Sequence, residues 1–243
     1  MTQTRQDQIR EGKSKILFST KDPNQIIQYF KDDATAFNAL KKGTIKNKGL
    51  INNRISSSLF QYLERKGIQT HFIKQLSERE MLVKKLEIIP VEVVVRNRAA
   101  GSLCKRLAIE KGMSFDPALV EYFYKSDALG DPLISEGHIL HFRWATAKEL
   151  SLMVETSLKV NEVLRPVFKE IGLELIDFKL EFGRDAEGKV FLADEFTADG
   201  CRLWDLQTQE PMDKDRFRQD LGGVDEAYLE VSKRLQNYFE ARL

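Results

Sequence analysis

Two cysteines, Cys104 and Cys201, are all that this 243-residue chain carries. They cannot build a disulfide framework or a thiolate zinc site, and they suit a reducing compartment. Histidine is nearly as scarce, at three. His138 and His141 stand at HxxH spacing without a third histidine or cysteine nearby, so a structural or surface role is expected there rather than a metal. No apolar run approaches the ~20 residues that cross a bilayer. The polar opening MTQTRQDQIR contains no apolar segment of a secretory signal, and the expected location is the cytoplasm. An excess of one charge is missing too: 38 basic and 37 acidic residues leave a net +1. A dedicated nucleic-acid binder shows a basic surplus, so the lysines gathered at 41–48 are not expected to serve nucleic acid. Neither GxxxxGKS, GxxxxGKT nor GxGxxG occurs, which removes the P-loop and the Rossmann fingerprint.

What remains is an ordinary globular composition, 42% hydrophobic and 31% charged. A chain this long buries roughly 70–75% of its unfolded surface and needs no staples. It suits one large domain or two lobes. The most informative stretch is Leu173–Asp205, LELIDFKLEFGRDAEGKVFLADEFTADGCRLWD. From Ile176 to Phe182 apolar and ionisable residues alternate, the period of a strand with one face in the core. Asp177, Lys179 and Glu181 share the other face. Gly183–Gly188 reads as a hairpin loop and Lys189–Phe196 as the returning strand; symmetrical closure would bring Asp194 to the same face. Carboxylates held that close favour protonation or a shared cation. Such a face is either the wet side of an antiparallel sheet or the wall of a cleft, and Phe196, Leu203 and Trp204 beside it favour the cleft.

Glu11–Ser19 reads as a strand in which Gly12 adjoins Lys13 and Lys15 on one face, either a phosphate cradle or a basic surface strand. Ile26–Phe30 is a second strand, followed by a lysine-rich loop to Gly49. Leu50–Gly67 has the periodicity of a helix. Thr70–Leu76 and Met81–Ile88 read as strands, the latter ending at Pro90 in a natural hinge. Val91–Val95 is a buried strand that delivers Arg96 and Arg98. Ser102 then suits the N-cap of a helix over Leu103–Lys111, and with Arg96 nearby it forms an anion site as well as a cap. Residues 122–142 read as loop. Thr146–Glu149 is a capping box opening a helix towards Ile171, which Pro166 should kink or break. A helix from Asp225 to about Arg242 carries Tyr228, Val231, Leu235 and Phe239 as its apolar stripe.

Five pieces, EGKSK (Glu11–Lys15), VEVVVRNRAAGS (Val91–Ser102), LIDFKLEFG (Leu175–Gly183), ADEFTADGCRLWD (Ala193–Asp205) and MDKDRFRQDLGG (Met212–Gly223), together resemble the SAICAR synthase (phosphoribosylaminoimidazole-succinocarboxamide synthase) family almost end to end. Many relatives carry serine and proline where this chain has Cys201 and Ala198, uncharged exchanges expected to be harmless. The resemblance implies an α+β fold of two lobes, related to ATP-grasp, with antiparallel sheets flanked by helices and the active site in the interlobe cleft. It places an ATP phosphate-binding lobe at 1–86 and a metal- and ribonucleotide-binding lobe at 87–243. It implies an ATP-dependent ligase of purine biosynthesis that joins carboxyaminoimidazole ribonucleotide to L-aspartate. By the same resemblance Gly12, Lys13 and Lys15 hold ATP phosphates, and backbone groups around Lys84, Lys85 and Leu86 meet adenine. Glu181 and Asp194 ligate Mg2+. Lys179 bridges nucleotide and substrate carboxylate, and Asp177 orients Lys179 or contacts substrate. Arg96, Ser102 and Arg202 take the ribonucleotide phosphate, and Asp199 its imidazole or ribose. For aspartate only the charged loops Lys125–Asp131 and Asp213–Arg218 are available. A homodimer is expected from the family.

Two other readings fit the same residues. A small-molecule kinase or another amide ligase on this scaffold would show the same carboxylates and lysines. A nucleotide-binding module without turnover would not need Glu181 and Asp194.

Overall fold

The computed structural model describes residues 4–36 and 41–242. The chain opens with β1 (Gln8–Glu11) and β2 (Lys15–Ser19), joined by a tight turn in which the Gly12 N–H donates to the Lys15 carbonyl at 2.8 Å. The expected single strand over Glu11–Ser19 is therefore a hairpin, and Lys13 and Lys15 do not share a strand face. β3 (Gln25–Phe30) follows. The stretch read as a lysine-rich loop contains a hairpin, β4 (Asp33–Ala36) with β5 (Lys41–Thr44); the part of that loop at 37–40 lies outside the described residues. α1 (Lys48–Arg65) then buries Ile51, Ile55, Leu59 and Leu63, the stripe its periodicity predicts, and turns out at Gly67 with φ +79°.

β6 (Phe72–Gln75) and β7 (Glu80–Lys84) complete an antiparallel sheet ordered β1-β2-β3-β7-β6. The chain breaks at Lys85–Leu86, and β8 (Glu87–Arg98) runs straight through Pro90. The strand end expected at Pro90 is thus displaced by several residues. The ladder shows why: Glu92 faces Glu181 and Ile88 faces Gly183, so three residues of β8 oppose one of its partner and the proline sits at a bulge.

α2 (Ser102–Leu107) is one short turn of helix; Gly101 occupies the cap position and Ala108 turns left-handed, so Ser102 is helical and does not cap. β9 (Ser114–Tyr124) was not legible as a strand, and its C-terminal end falls in the stretch read as loop. β10 (Leu133–Ile134) and α3 (Glu136–His141) follow. His138 Nδ1 accepts the Ser135 backbone N–H at 3.1 Å, the structural use of the HxxH pair. α4 (Ala147–Glu170) starts at the expected capping box and passes through Pro166 without breaking. Pro166 lacks the N–H that would serve the Glu162 carbonyl, and both residues lie on the exposed face of the helix, where water takes the missing donor's place in the ladder. β11 (Leu173–Arg184), β12 (Val190–Ala193) and β13 (Cys201–Asp205) finish a second antiparallel sheet ordered β10-β9-β8-β11-β12, with β13 paired to the first half of β11. α5 (Asp215–Arg218) is a single turn, and α6 (Val224–Glu240) buries Tyr228, Val231 and Leu235.

α4 covers the second sheet and α1 the first, and one continuous apolar core joins them. α6 packs on α1, with Tyr62 edge-on to Tyr238 and 5.3 Å from the ring of Phe239. The sheets are also stitched by backbone: His71 N–H donates to Leu192 O at 2.8 Å, and Leu192 N–H to Gln69 O at 3.1 Å. Among the described residues no helix is long and apolar enough to cross a membrane.

Candidate active site between the two sheets

A cleft of about 520 Å³ lies where β2 and β7 of the first sheet meet β8, β11 and the 194–218 segment of the second. β11 builds its floor. Alternation puts Asp177, Lys179 and Glu181 on one face, as the sequence predicts. The face is not a wet outer surface, since Asp177 and Glu181 are each 3% exposed. Glu181 pairs across the ladder with Ala193, so simple alternation would turn Asp194 away from the group. Instead Asp194 adopts a left-handed backbone, φ 62°, and its carboxylate swings back to 3.9 Å from the Lys179 ammonium. Aspartate tolerates that region better than most side chains.

Lys179 is the hub. Its Nζ lies 2.5 Å from Glu181 and 2.8 Å from Glu92, two carboxylates directly opposite each other on neighbouring strands. Like charges in that position repel, and the ammonium between them offsets the repulsion. Burial alone would pull the Lys179 pKa down, but Glu181, Glu92 and Asp194 carry it well above its ordinary value. Lys15 reaches the same group from the first sheet, paired with Asp194 and lying 3.3 Å from Glu195. It too is raised, the carboxylates overriding burial. Asp194 is lowered in turn, because Lys15 and Lys179 outweigh the cost of its burial. Burial lifts Glu92 above the usual carboxylate range, with Lys179 opposing. Lys125 donates to Glu181 at 2.8 Å and closes the cluster.

A second cluster adjoins it. Asp177 does not touch Lys179; it is clamped between two arginines, Arg96 at 2.5 Å and Arg202 at 2.9 Å. Arg96 also bonds Glu121 at 2.6 Å, and Arg202 bonds Asp215 at 2.9 Å. Gly101 packs so close to the Arg202 guanidinium that a Cβ there would overlap it. Ser102 follows, exposed, its hydroxyl accepting from Arg106 at 3.0 Å. Asp199 is anchored rather than free: Lys48, fully buried, donates to one oxygen at 2.6 Å and the Tyr228 hydroxyl to the other at 2.5 Å.

Gly12, Lys13 and Lys15 all line the cleft, although Lys13 is turned to Asp127 at 2.7 Å. Lys84 and Leu86 line it too. Lys85 is exposed and outside it, and the backbone N–H groups of Lys84 and Lys85 already donate to His71 O and Asn24 O. The structure thus gathers Lys179, Glu181, Asp194 and Lys15 into one group, and Arg96, Asp177 and Arg202 into another, with Ser102 at the edge of the second.

The sequence reading missed Glu92, a lone carboxylate in a β-branched run and in that respect visible. It also missed His71, Lys48 and Glu195, which look like ordinary polar residues until the fold buries them. His71 is pushed down to about 3, chiefly by burial, with the Asp194 carboxylate opposing and Lys15 and Lys84 adding to the fall.

Comparison with known proteins identifies the family. The profile of the SAICAR synthetase family matches residues 8–235. A phosphoribosylaminoimidazole-succinocarboxamide synthase of Novosphingobium aromaticivorans is 57% identical over 235 residues, 96% of this chain and 90% of its own length. The solved structure of the same-named protein from Ehrlichia chaffeensis superposes with a TM-score of 0.92 at 50% identity, covering 95% of this chain and 98% of that one. A SAICAR synthetase solved in complex with ADP gives 0.91 at 43% identity, covering 94% and 97%. The chain belongs to the SAICAR synthetase family, ligases of purine biosynthesis.

Proposed function

We propose that this cleft joins the carboxylate of carboxyaminoimidazole ribonucleotide to the amine of L-aspartate while ATP becomes ADP and phosphate. The observation that carries the reading is the Lys179 hub, one ammonium shared by Glu92, Glu181 and Asp194 between the two sheets. A carboxylate is a poor electrophile, so the reaction runs through an acyl phosphate formed from the γ-phosphoryl group. Transfer between anions calls for alignment and neutralisation more than covalent help. Lys15 and Lys13, at the hairpin turn, neutralise ATP phosphates, in line with the ADP bound by a relative. Leu86 and the Lys84 side chain border the adenine.

Glu181 and Asp194 fit Mg2+. No three histidine, cysteine or acidic side chains among the described residues form a closed metal group. Mg2+ typically takes one or two carboxylates and fills its shell with phosphate oxygens and water. When bound it would supply charge neutralisation at the phosphoryl group. Lys179 then aligns the substrate carboxylate with that group, and the Glu92 carboxylate keeps its ammonium in place. Arg202, fixed by Asp177, Asp215 and the close Gly101 backbone, faces the ribonucleotide phosphate with Arg96 behind it. Holding the reactants together is worth about 7–11 kcal/mol in favourable geometry. The proposal includes a homodimer in the cytoplasm, and the division of labour between residues 1–86 and 87–243.

The test is ADP release from Mg-ATP and carboxyaminoimidazole ribonucleotide, with and without L-aspartate. ADP that needs both, with the succinocarboxamide product, is the expected result. ADP formed without dependence on aspartate would point to a kinase or a different amine and overturn the proposal.

A further inference from the structure

Two of the three nitrogens of the Arg202 guanidinium are taken by the protein. Asp215 holds Nε at 2.9 Å and Asp177 holds Nη1 at 2.9 Å. Among the described residues Nη2 donates no hydrogen bond; it lies against the Gly101 backbone, where a Cβ would overlap it. A guanidinium recognises a phosphate through the direction of its donors. The plane of Arg202 is therefore only as well fixed as the carboxylates that grip it.

Asp213 stands behind those contacts. It has no exposed surface and does not line the cleft. Its Oδ2 accepts the backbone N–H of Leu203 at 2.8 Å, and its Oδ1 accepts that of Asp215 at 2.7 Å. The Leu203 carbonyl accepts the Met212 N–H at 2.8 Å, so the chain at 212–213 runs alongside Leu203 as a short strand would. One carboxylate thus bonds the residue that follows Arg202 on β13 and the residue that grips its Nε from α5. The bond to Asp215 taken alone is an ordinary Asx turn. The bond to Leu203, ten residues away in sequence, ties α5 to β13.

We propose that Asp213 is a positioning residue for the ribonucleotide phosphate: it sets β13 and α5 against each other so that Arg202 presents Nη2 to that phosphate. This rests on the ligase reading above, in which Arg202 meets the phosphate. The arrangement has little slack. The other oxygen of Asp215 takes Arg218 at 2.5 Å, so Asp215 cannot follow a displaced Arg202 without disturbing a second arginine. A misplacement of about 1 Å is enough to weaken a bound geometry strongly. An acid is also a costly choice where only space needs filling. Burial and the neighbouring Asp215 push Asp213 up to about 7, against its two N–H bonds and Arg202. Two backbone donors aimed at two separate oxygens are served by a carboxylate and by no apolar side chain.

The experiment uses the whole protein as wild type, Asp213→Asn and Asp213→Ala, with circular dichroism and melting followed alongside. Asparagine keeps the shape and one acceptor oxygen; alanine keeps neither. In Asp213→Ala the KM for the ribonucleotide should rise about tenfold to a hundredfold, the range a charge-assisted hydrogen bond spans. The KM for ATP should hold within about twofold. Asp213→Asn should fold as wild type does and recover part of the loss, and it carries the test alone if Asp213→Ala does not fold. KM values for ATP and ribonucleotide that rise together, or a fall in kcat with the ribonucleotide KM unchanged, would overturn the proposal. Calorimetry with ribose 5-phosphate and with ribose reads the phosphate contact without turnover. Wild type should prefer the phosphorylated sugar by about tenfold or more, and Asp213→Asn should lose most of that preference. A preference absent from wild type, or unchanged in Asp213→Asn, would sink the positioning role even if the ligase reaction stands. A preference that the variant loses, in a protein without turnover, would leave the positioning role and remove the reaction.

Discussion

The Lys179 ammonium has three carboxylates around it, so its removal changes chemistry more than packing. Lys179→Ala is expected to lower turnover by a factor of about 10²–10³ or more while circular dichroism stays native; near-normal turnover would remove Lys179 from the mechanism. His71 gives a pH signature. Burial holds it at about 3 in the folded chain, against about 6.5 when unfolded. Between those values the unfolded chain binds the extra proton, so stability is full above about pH 6.5 and falls as pH drops towards 3. The slope is up to about 1.4 kcal/mol per pH unit. Urea unfolding of wild type and His71→Gln across that window checks it, and an unchanged slope in the variant would assign the effect elsewhere. At this scale the sequence showed the residues that alternate on one strand, Asp177, Lys179 and Glu181. It did not show that Asp177 belongs to the arginines, since that follows from β8 lying beside β11, a pairing between residues 81 apart.

Helices α1, α4 and α6 and the β11–β12 hairpin were legible because each satisfies its own periodicity and its own turn or cap. β9 and β13 were not, because their backbone bonds are made to β8 and β11 and leave no local mark. The same holds for Pro90, which a lone strand rejects and a bulge accepts. Gly183 tests how such elements meet. A Cβ there would stand 2.8 Å from the Leu86 Cβ and 3.0 Å from the Glu87 carbonyl. Gly183→Ala should therefore push the Lys85–Glu87 connection off β11, costing about 1–3 kcal/mol. It should raise the KM for ATP more than that for the ribonucleotide. Steady-state kinetics on both substrates decides it, and equal effects would detach this connection from the adenine.

The molecule as a whole should melt once. The core is continuous between the sheets, Lys48 of α1 and Tyr228 of α6 both grip Asp199, and residues 69–71 pair with β12. Scanning calorimetry is expected to give one transition with a calorimetric to van't Hoff enthalpy ratio of about one; two resolved transitions would show lobes that fold independently.

The seat of α6 on α1 also sets a timetable for synthesis. Residues 48–65 leave the ribosome long before residues 224–240, and at ~5–20 residues per second the interval is on the order of ten seconds or more. For that time the side of α1 that receives Tyr238 and Phe239 has no partner from its own chain, so the nascent protein, unlike the finished one, is expected to need a chaperone's cover there.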